Sequence, residues 1–377
     1  MQFGLSESQQ TLRDNARRFF AGECPMAQVR RIMETDTAHD PVLWAKMAEQ
    51  GFTGIVFPEE CEGVGLGPVE LVLLMEEAGR ALLPGPFFST VALAGVVISS
   101  IATAEQKSKY LTPICRGDAR STLALLETNA TWDPADVQIE VQNGRLRGEK
   151  LFVPDAAAAD SIIVVARNGV FIADAHAASV RISPMAGIDL TRRIYSVQFN
   201  DTPAEKLGDV GALARALELA TAALVGEIVG GMQRTLEMTV EYAKLRKQFG
   251  KPIGAFQAVQ HQCADMYLET ESSRSAAYYA AWALGEDQPD ASLAVTIAKM
   301  YASDACRTVG NRGIQVHGGM GFTWENDLHL YYRRAKASET MLGDATFHRE
   351  RIARLVIDRE HEVGVPAGKF QEASPSL

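Results

Sequence analysis

Three stretches of the C-terminal half, Ala212 to Arg246, Ala255 to Leu284 and Ala291 to Asn311, hold apolar residues at helical spacing for longer than an average globular helix, and another begins near Ala345. Helices of that length bury their apolar faces only against one another, so the pattern predicts a four-helix bundle. With 377 residues, 47% of them hydrophobic, the chain is long enough for two or three compact domains. The balance of 37 Lys and Arg against 47 Asp and Glu gives a net charge of −10 with no basic block, which argues against nucleic acid as a partner. The longest apolar run, Val91 to Ala102, is shorter than the ~20 residues of a membrane span, and the N-terminus has no apolar leader. A cytoplasmic protein without a membrane partner is the expectation. Cys24, Cys61, Cys115, Cys263 and Cys306 form no C-x-x-C pair and the histidines lack ligand spacing, so the cysteines read as packing residues and no metal site is expected.

The N-terminal third reads as helical. Ser6 with Gln9 three residues on is a capping box, so a helix starts at Ser6. Asp40 followed by Pro41 opens a second, short helix that Gly51 ends. The glycine-rich stretch from Phe57 to Pro68 has no strand or ribose-binding acid around it and is read as a loop between helices, with helical spacing from Val69 to Leu83. From Ser121 to Leu207 the texture changes to β-branched segments, among them Gln138 to Val141, Ser161 to Ala166 and Tyr195 to Phe199, separated by turns at Asn143-Gly144 and Asn168-Gly169. The expected fold is α+β and multidomain, with an N-terminal α-helical domain over 1–118, a small central β-barrel or sandwich over 119–207, and a helical bundle over 208–377. The tail from about Val365 reads as loose.

This order coincides with a series of local motifs: Val56-Phe57-Pro58-Glu59-Glu60, Glu76-Glu77-Ala78-Gly79-Arg80, Glu105-Gln106-Lys107, Arg246-Lys247-Gln248-Phe249-Gly250, Phe256-Gln257-Ala258-Val259-Gln260 and Gln315-Val316-His317-Gly318-Gly319. In order and spacing they resemble the acyl-CoA dehydrogenase family over nearly the whole chain. The resemblance implies FAD-dependent α,β-dehydrogenation of an acyl-CoA thioester, with electron-transfer flavoprotein as the electron acceptor. In that family the arginine of R-x-x-F-G and the glutamine and glycines of Q-x-x-G-G hold the diphosphate and adenosine half of an FAD whose flavin lies in the neighbouring subunit. The implied cofactor residues are Arg246, Phe256, Gln257, Gln315, Gly318 and Gly319, and the C-terminal bundle is the oligomerising part. Arg246 suits phosphate because its guanidinium makes forked, charge-assisted hydrogen bonds, and the glycines let backbone N–H groups come close. His317 reads either as a cofactor contact or as a structural histidine.

The sequence departs from the family where the chemistry is done. The family's base is a glutamate a fixed distance after Q-x-x-G-G. Carried without gaps from Gln315 through Arg333, Ala335 and Lys336 to Arg349, Ala353 and Arg354, that distance falls on Leu342. Members that carry the base on the first long bundle helix would have it at Ala220. Neither side chain takes a proton. Glu218, Glu227, Glu339 and Asp344 are the nearby acids; on the helix Glu218 is turned roughly 200° from Ala220, whereas Glu227 is only about 20° off its face but two turns away. The family's T-E-P-x-A-G-S-D corresponds to Leu126 to Asp133 without its glycine and serine, and its W-I-T to Phe152-Val153-Pro154, where proline has neither hydroxyl nor N–H to offer a flavin.

Loss of the base and the flavin cradle beside retention of the motifs that reach a neighbour's FAD resembles the non-catalytic subunit of the heteromeric, steroid-degrading α2β2 members, as does Asp189-Leu190-Thr191-Arg192. There a homologous acyl-CoA dehydrogenase partner brings the glutamate and the ring. Two other readings stay open: a stand-alone homo-oligomeric dehydrogenase with Glu227, Glu339 or Asp344 as displaced base, and a binding or scaffold homologue without redox chemistry.

Overall fold

The Ser6 hydroxyl accepts from the Gln9 N–H while the Gln9 side chain reaches back to the Ser6 N–H, so helix α1 (Glu7–Glu23) begins where its capping box places it. The computed structural model describes residues 4–358; the tail from Val365 lies outside the described residues. After α1 come α2 (Met26–Met33), α3 (Pro41–Glu49), α4 (Pro68–Arg80), α5 (Val96–Ile101) and α6 (Ala104–Arg116). Helix α3 has the Asp40 cap and the Pro41 start read from the sequence. Helix α2 was not foreseen: its eight residues are too few to show periodicity, and Pro25 stands where a side-chain cap would. The run from Val91 to Ala102 is buried inside the protein as far as Ile98, after which Ser100 reaches the surface.

The middle of the chain forms two four-stranded sheets that face each other as an open sandwich rather than a closed barrel. The first contains β1 (Ser121–Ala124), β4 (Ser161–Ala166), β5 (Gly169–Asp174) and β8 (Glu205–Gly208), in the order β1-β4-β5-β8. The second contains β2 (Val141–Gln142), β3 (Arg145–Pro154), β6 (Val180–Pro184) and β7 (Ile194–Pro203), in the order β2-β3-β7-β6. Asn143 and Gly144 both have positive φ, 51° and 70°, which is the backbone a tight β2–β3 hairpin demands. The segment from Gln138 is not strand until Val141. Its N–H groups at Gln138 and Ile139 are taken by the buried Glu127 carboxylate, at 2.9 and 3.1 Å, so they are lost to a ladder.

The bundle consists of α7 (Leu213–Leu245), α8 (Gln257–Gly285), α9 (Ala291–His317) and α10 (Leu328–Thr340), followed by α11 (Ala345–Ala353); a hairpin of β9 (Lys247–Gln248) and β10 (Lys251–Pro252) joins α7 to α8. The stretch near Ala345 is therefore a short fifth helix, and the fourth bundle helix, α10, was missed. Its inward face carries Arg334 beside Leu330 and Tyr331, and a buried arginine breaks the apolar rhythm.

One continuous core joins the N-terminal helices, the bundle and the face of the first sheet turned away from the second, while a second core lies between the sheets. Helices α4 and α7 are drawn together at glycines. A Cβ on Gly79 would lie 2.0 Å from the Glu227 carbonyl oxygen, and one on Gly230 would lie 1.8 Å from that of Glu76. The Glu76-Glu77-Ala78-Gly79-Arg80 motif is thus a packing device. Glu76 takes Arg274 at 3.0 Å and the Tyr278 hydroxyl at 2.6 Å, Glu77 takes Arg17 at 2.7 Å, and Arg80 takes Glu237 at 2.6 Å.

Neighbouring glycines of α7 give a controlled test. Gly230→Ala should cost about 3 kcal/mol or more, because a backbone must move. Gly231→Ala meets nothing within 4 Å and should be neutral or stabilising by up to about 1 kcal/mol. Thermal melts of the two variants beside the wild type read this directly.

Candidate functional site

The six residues assigned to the cofactor come together at one end of the bundle. The Tyr242 ring of α7 stacks on His317 at the end of α9, with centroids 4.3 Å apart, and this joins the Arg246 turn to the Gly318 turn. His317 is buried, its Nδ1 donates to the Gly313 carbonyl at 2.8 Å, and burial lowers its pKa, so it is a neutral structural residue. Arg246, Gln257, Gln315, Gly318 and Gly319 are exposed and Phe256 is half-buried under the ammonium of Lys251, 4.4 Å from its ring. Gly318 has φ of 59°, and a Cβ on either Gly318 or Gly319 would meet nothing within 4 Å. Among the described residues Arg246, Lys244 and Lys247 make no ion pair. On a chain of net charge −10, this is an open cationic rim with glycine on its lip. It suits a diphosphate, and it is a surface rather than an enclosed pocket.

Both base positions are apolar and closed in. Ala220 is fully buried within α7. Leu342 is 5% exposed, in the left-handed backbone region at φ 57°, and its carbonyl accepts from His348 Nε2 at 2.9 Å. The loop around it is held by Lys299 of α9, whose buried ammonium donates to the carbonyls of Ser338, Glu339 and Gly343 at 3.2, 3.0 and 2.9 Å. Burial lowers that ammonium to about 8, which still leaves it mostly charged at neutral pH.

Each of the nearby acids is engaged through at least one oxygen, and Glu227 Oε2 is buried without a partner. Glu227 is 3% exposed, and its Oε1 takes both Arg192, at 2.5 Å, and Arg334, at 2.7 Å. Arg334 also binds Asp189, the Thr191 hydroxyl and the Leu83 carbonyl. Glu339 pairs with Arg307 and Lys336, and Glu218 with Arg351. Asp344 caps α11 by accepting from the Phe347 N–H at 2.8 Å with Oδ1. A fifth acid escaped the sequence reading because it is not near the base positions in sequence: Asp155 is completely buried beside this cluster, accepts from Ser89 at 2.7 Å, and leaves Oδ1 without a partner.

Two cavities flank the Leu342 loop. One, of about 550 Å³, lies between α7, α11 and the 131–136 loop, and Leu342 lines it. The other, of about 500 Å³, lies between the sandwich and the α10–α11 connection and is lined by Phe152, Ile188, Ile194, Arg192, Lys336, Asp344 and others. Side-chain donors of the second are largely committed within the chain: Trp132 to the Thr340 carbonyl at 3.1 Å, Lys336 to Glu339, Thr340 to the Ala337 carbonyl, and Thr131 to Asp136. Phe152 rides out on a β-bulge at φ 53°. Pro154, by contrast, is buried with its carbonyl accepting from Thr122 at 2.6 Å and does not line the cavity. At this step the bulge turns the segment, which a gap-free reading of the sequence does not reveal.

Comparison with known proteins points one way. The family model "Acyl-CoA dehydrogenase, N-terminal domain" matches residues 6–118, and "Acyl-CoA dehydrogenase, C-terminal domain" matches 211–357. The acyl-CoA dehydrogenase IpdE2 of Mycobacterium tuberculosis is 34% identical over 355 residues, 93% of this chain and 96% of its own. A variant of the Tcur3481–Tcur3483 steroid ACAD has a TM-score of 0.87 at 30% identity, covering 94% of this chain and 99% of that one. The ChsE4–ChsE5 complex from Mycobacterium tuberculosis has a TM-score of 0.86 at 28% identity, over 97% of this chain and 100% of that one.

The buried acid has a measurable signature. Burial raises the Asp155 pKa from 3.8 to about 6 against the opposing pull of Arg192. A carboxyl raised by folding stabilises the fold below its ordinary pKa and loses that contribution as pH climbs through about 6. Asp155→Asn should therefore melt higher than the wild type at pH 7.5, by an amount on the order of 2 kcal/mol, and no higher at pH 4. Paired melts at the two pH values check it.

Proposed function

The chain belongs to the acyl-CoA dehydrogenase family, and from that premise we propose that it is the subunit of a heteromeric dehydrogenase that lacks the proton-abstracting glutamate. Its partner is a homologous subunit that brings the base and the flavin ring, and the substrate is a bulky acyl-CoA of the steroid side-chain kind. The observation that carries this reading is Leu342, a buried aliphatic residue at the family's base position, on a loop that Lys299 and His348 nonetheless hold in place. Its likeness to a steroid ACAD and to the ChsE4–ChsE5 complex supports the substrate class and the two-chain assembly.

The cofactor fit is divided. The exposed rim of Arg246, Gln315, Gly318 and Gly319 suits the diphosphate and adenosine half of an FAD shared across the interface, with Phe256 and Gln257 beside it. The cavity beside Phe152 suits the ring half poorly, since its Trp132, Lys336, Thr340 and Thr131 donors are engaged within the chain. Bound FAD supplies two-electron oxidation of the acyl Cα–Cβ bond, with electrons passing on to an electron-transfer flavoprotein. This chain's part is to hold the negative phosphates: each charged hydrogen bond from Arg246 is worth roughly 1.5 to 3 kcal/mol.

One feature favours a second reading, an independent dehydrogenase with a displaced base. Asp344 lines the cavity beside Phe152, and its cap uses only Oδ1. The acid sits two residues beyond the family position, with its backbone fixed at the start of α11.

Leu342→Glu separates the two. On the subunit reading, the variant alone remains inactive toward a bulky acyl-CoA with an artificial electron acceptor, because a base without a ring oxidises nothing; robust turnover from that one change would contradict it. Arg246→Ala in the complex with a homologous partner should weaken FAD retention on the order of ten- to a hundredfold, read as flavin absorbance after desalting.

A further inference from the structure

Leu342 and Phe152 line different, adjoining cavities. Leu342 lines the larger cavity with Leu217 and Thr221 of α7, whereas Phe152 lines the other with Ile188 and Ile194. Trp132, Thr131 and Phe347 line both. The Trp132 indole rises from the sandwich loop, packs against the helical core, and donates its N–H to the Thr340 carbonyl at 3.1 Å, at the end of α10. It therefore spans the gap between the two parts of the protein that enclose the cavities.

We propose that Trp132 is a partition: it splits one groove into two and keeps a planar flavin ring and an acyl group from meeting in this chain. The inference deepens the subunit reading and rests on it. A base at position 342 serves only an acyl group in the first cavity, and a ring stacked on Phe152 occupies the second. Reacting atoms must come to about 3–3.5 Å for transfer. An interposed indole adds a contact of about 3.5–4 Å on each face, which leaves groups on its two sides about 7 Å apart. Losing the glutamate thus removes the proton acceptor, while Trp132 separately removes the shared space. In the family stretch that corresponds to Leu126 to Asp133, the residue at this place is serine, whose hydroxymethyl group spans no such gap.

The site is specific because the indole is tied at both ends. Its loop is anchored where Glu127 pairs with the buried Lys150, 2.7 Å away, and its N–H is fixed on α10. Phenylalanine in the α11 wall, Phe347, closes the same gap from the other side, next to Gly343, where a Cβ would come within 2.3 Å of the Phe347 ring.

The test uses riboflavin, which carries the ring without the diphosphate and so does not depend on the partner's half of the cofactor site. Quenching of riboflavin fluorescence is titrated with the full wild-type chain and with Trp132→Ser, each checked by circular dichroism and thermal melting. A folded W132S that binds riboflavin at least tenfold more tightly than the wild type is the expected result. A folded W132S that binds no more tightly overturns the partition. Should W132S fail to fold, Trp132→Leu, which keeps apolar packing against the core but removes the indole plane, is judged by the same tenfold criterion. Failure here is distinct from failure of the subunit reading, which falls instead if the wild-type chain purified alone carries one FAD per chain.

Discussion

A guanidinium shut away from solvent, Arg334, ties this protein together. It reaches the Leu83 carbonyl after the N-terminal helix α4, Asp189 and Thr191 on the strand connection of the sandwich, and Glu227 on α7, while itself belonging to α10. Burying such a charge costs several kcal/mol, recovered only when all its partners are in place. The three parts of the chain therefore dock in one mutual arrangement. Arg192, lying over the Phe88 ring and sharing Glu227, extends the same cluster to the floor of the cavity beside Phe152. That cavity exists because the sandwich and the α10–α11 connection are clamped at this distance.

The same clamp decides what Glu227 is. Seen along the helix it lies close to the face of Ala220, which made it a candidate acceptor for a substrate proton. Inside the fold its Oε1 serves two arginines, and the side chain lines neither of the cavities beside the Leu342 loop, so it is a fixed part of the buried cluster. No one-dimensional pattern reveals this, since Arg192 and Arg334 lie 35 and 107 residues away.

What could be read from the sequence was what local rules govern: the Ser6 and Asp40 caps, the Asn143-Gly144 hairpin, the long helices α7, α8 and α9, and the order of helical, β and helical parts. Helix α10 was not legible because its buried face is charged, and the start of β2 was misplaced because a distant carboxylate, Glu127, captures the backbone N–H groups. The site divided in the same way. Arg246 stands where the helical periodicity of α7 ends, whereas Gln315 and the glycines came from the family resemblance alone, because the pattern read for α9 stops at Asn311 and the helix runs on to His317. Pro154 was read as facing the flavin, yet a β-bulge turns Phe152 outward in its place, and register shifts of that kind leave no trace in composition. Trp132 stood in plain view in the sequence, but its meaning depends on Thr340, which is 208 residues away.

The chain thus presents an open cationic rim outward and keeps its own pocket walled and short of free donors, as suits a protein that completes a cofactor site on another subunit. Flavin counted per chain tests this most directly, in protein purified alone and in protein coexpressed with a homologous acyl-CoA dehydrogenase from the same genome. Sharing of the site predicts colourless protein alone and about one FAD per two chains in the complex, since each shared site draws on two subunits. One FAD per chain in the protein alone would contradict it.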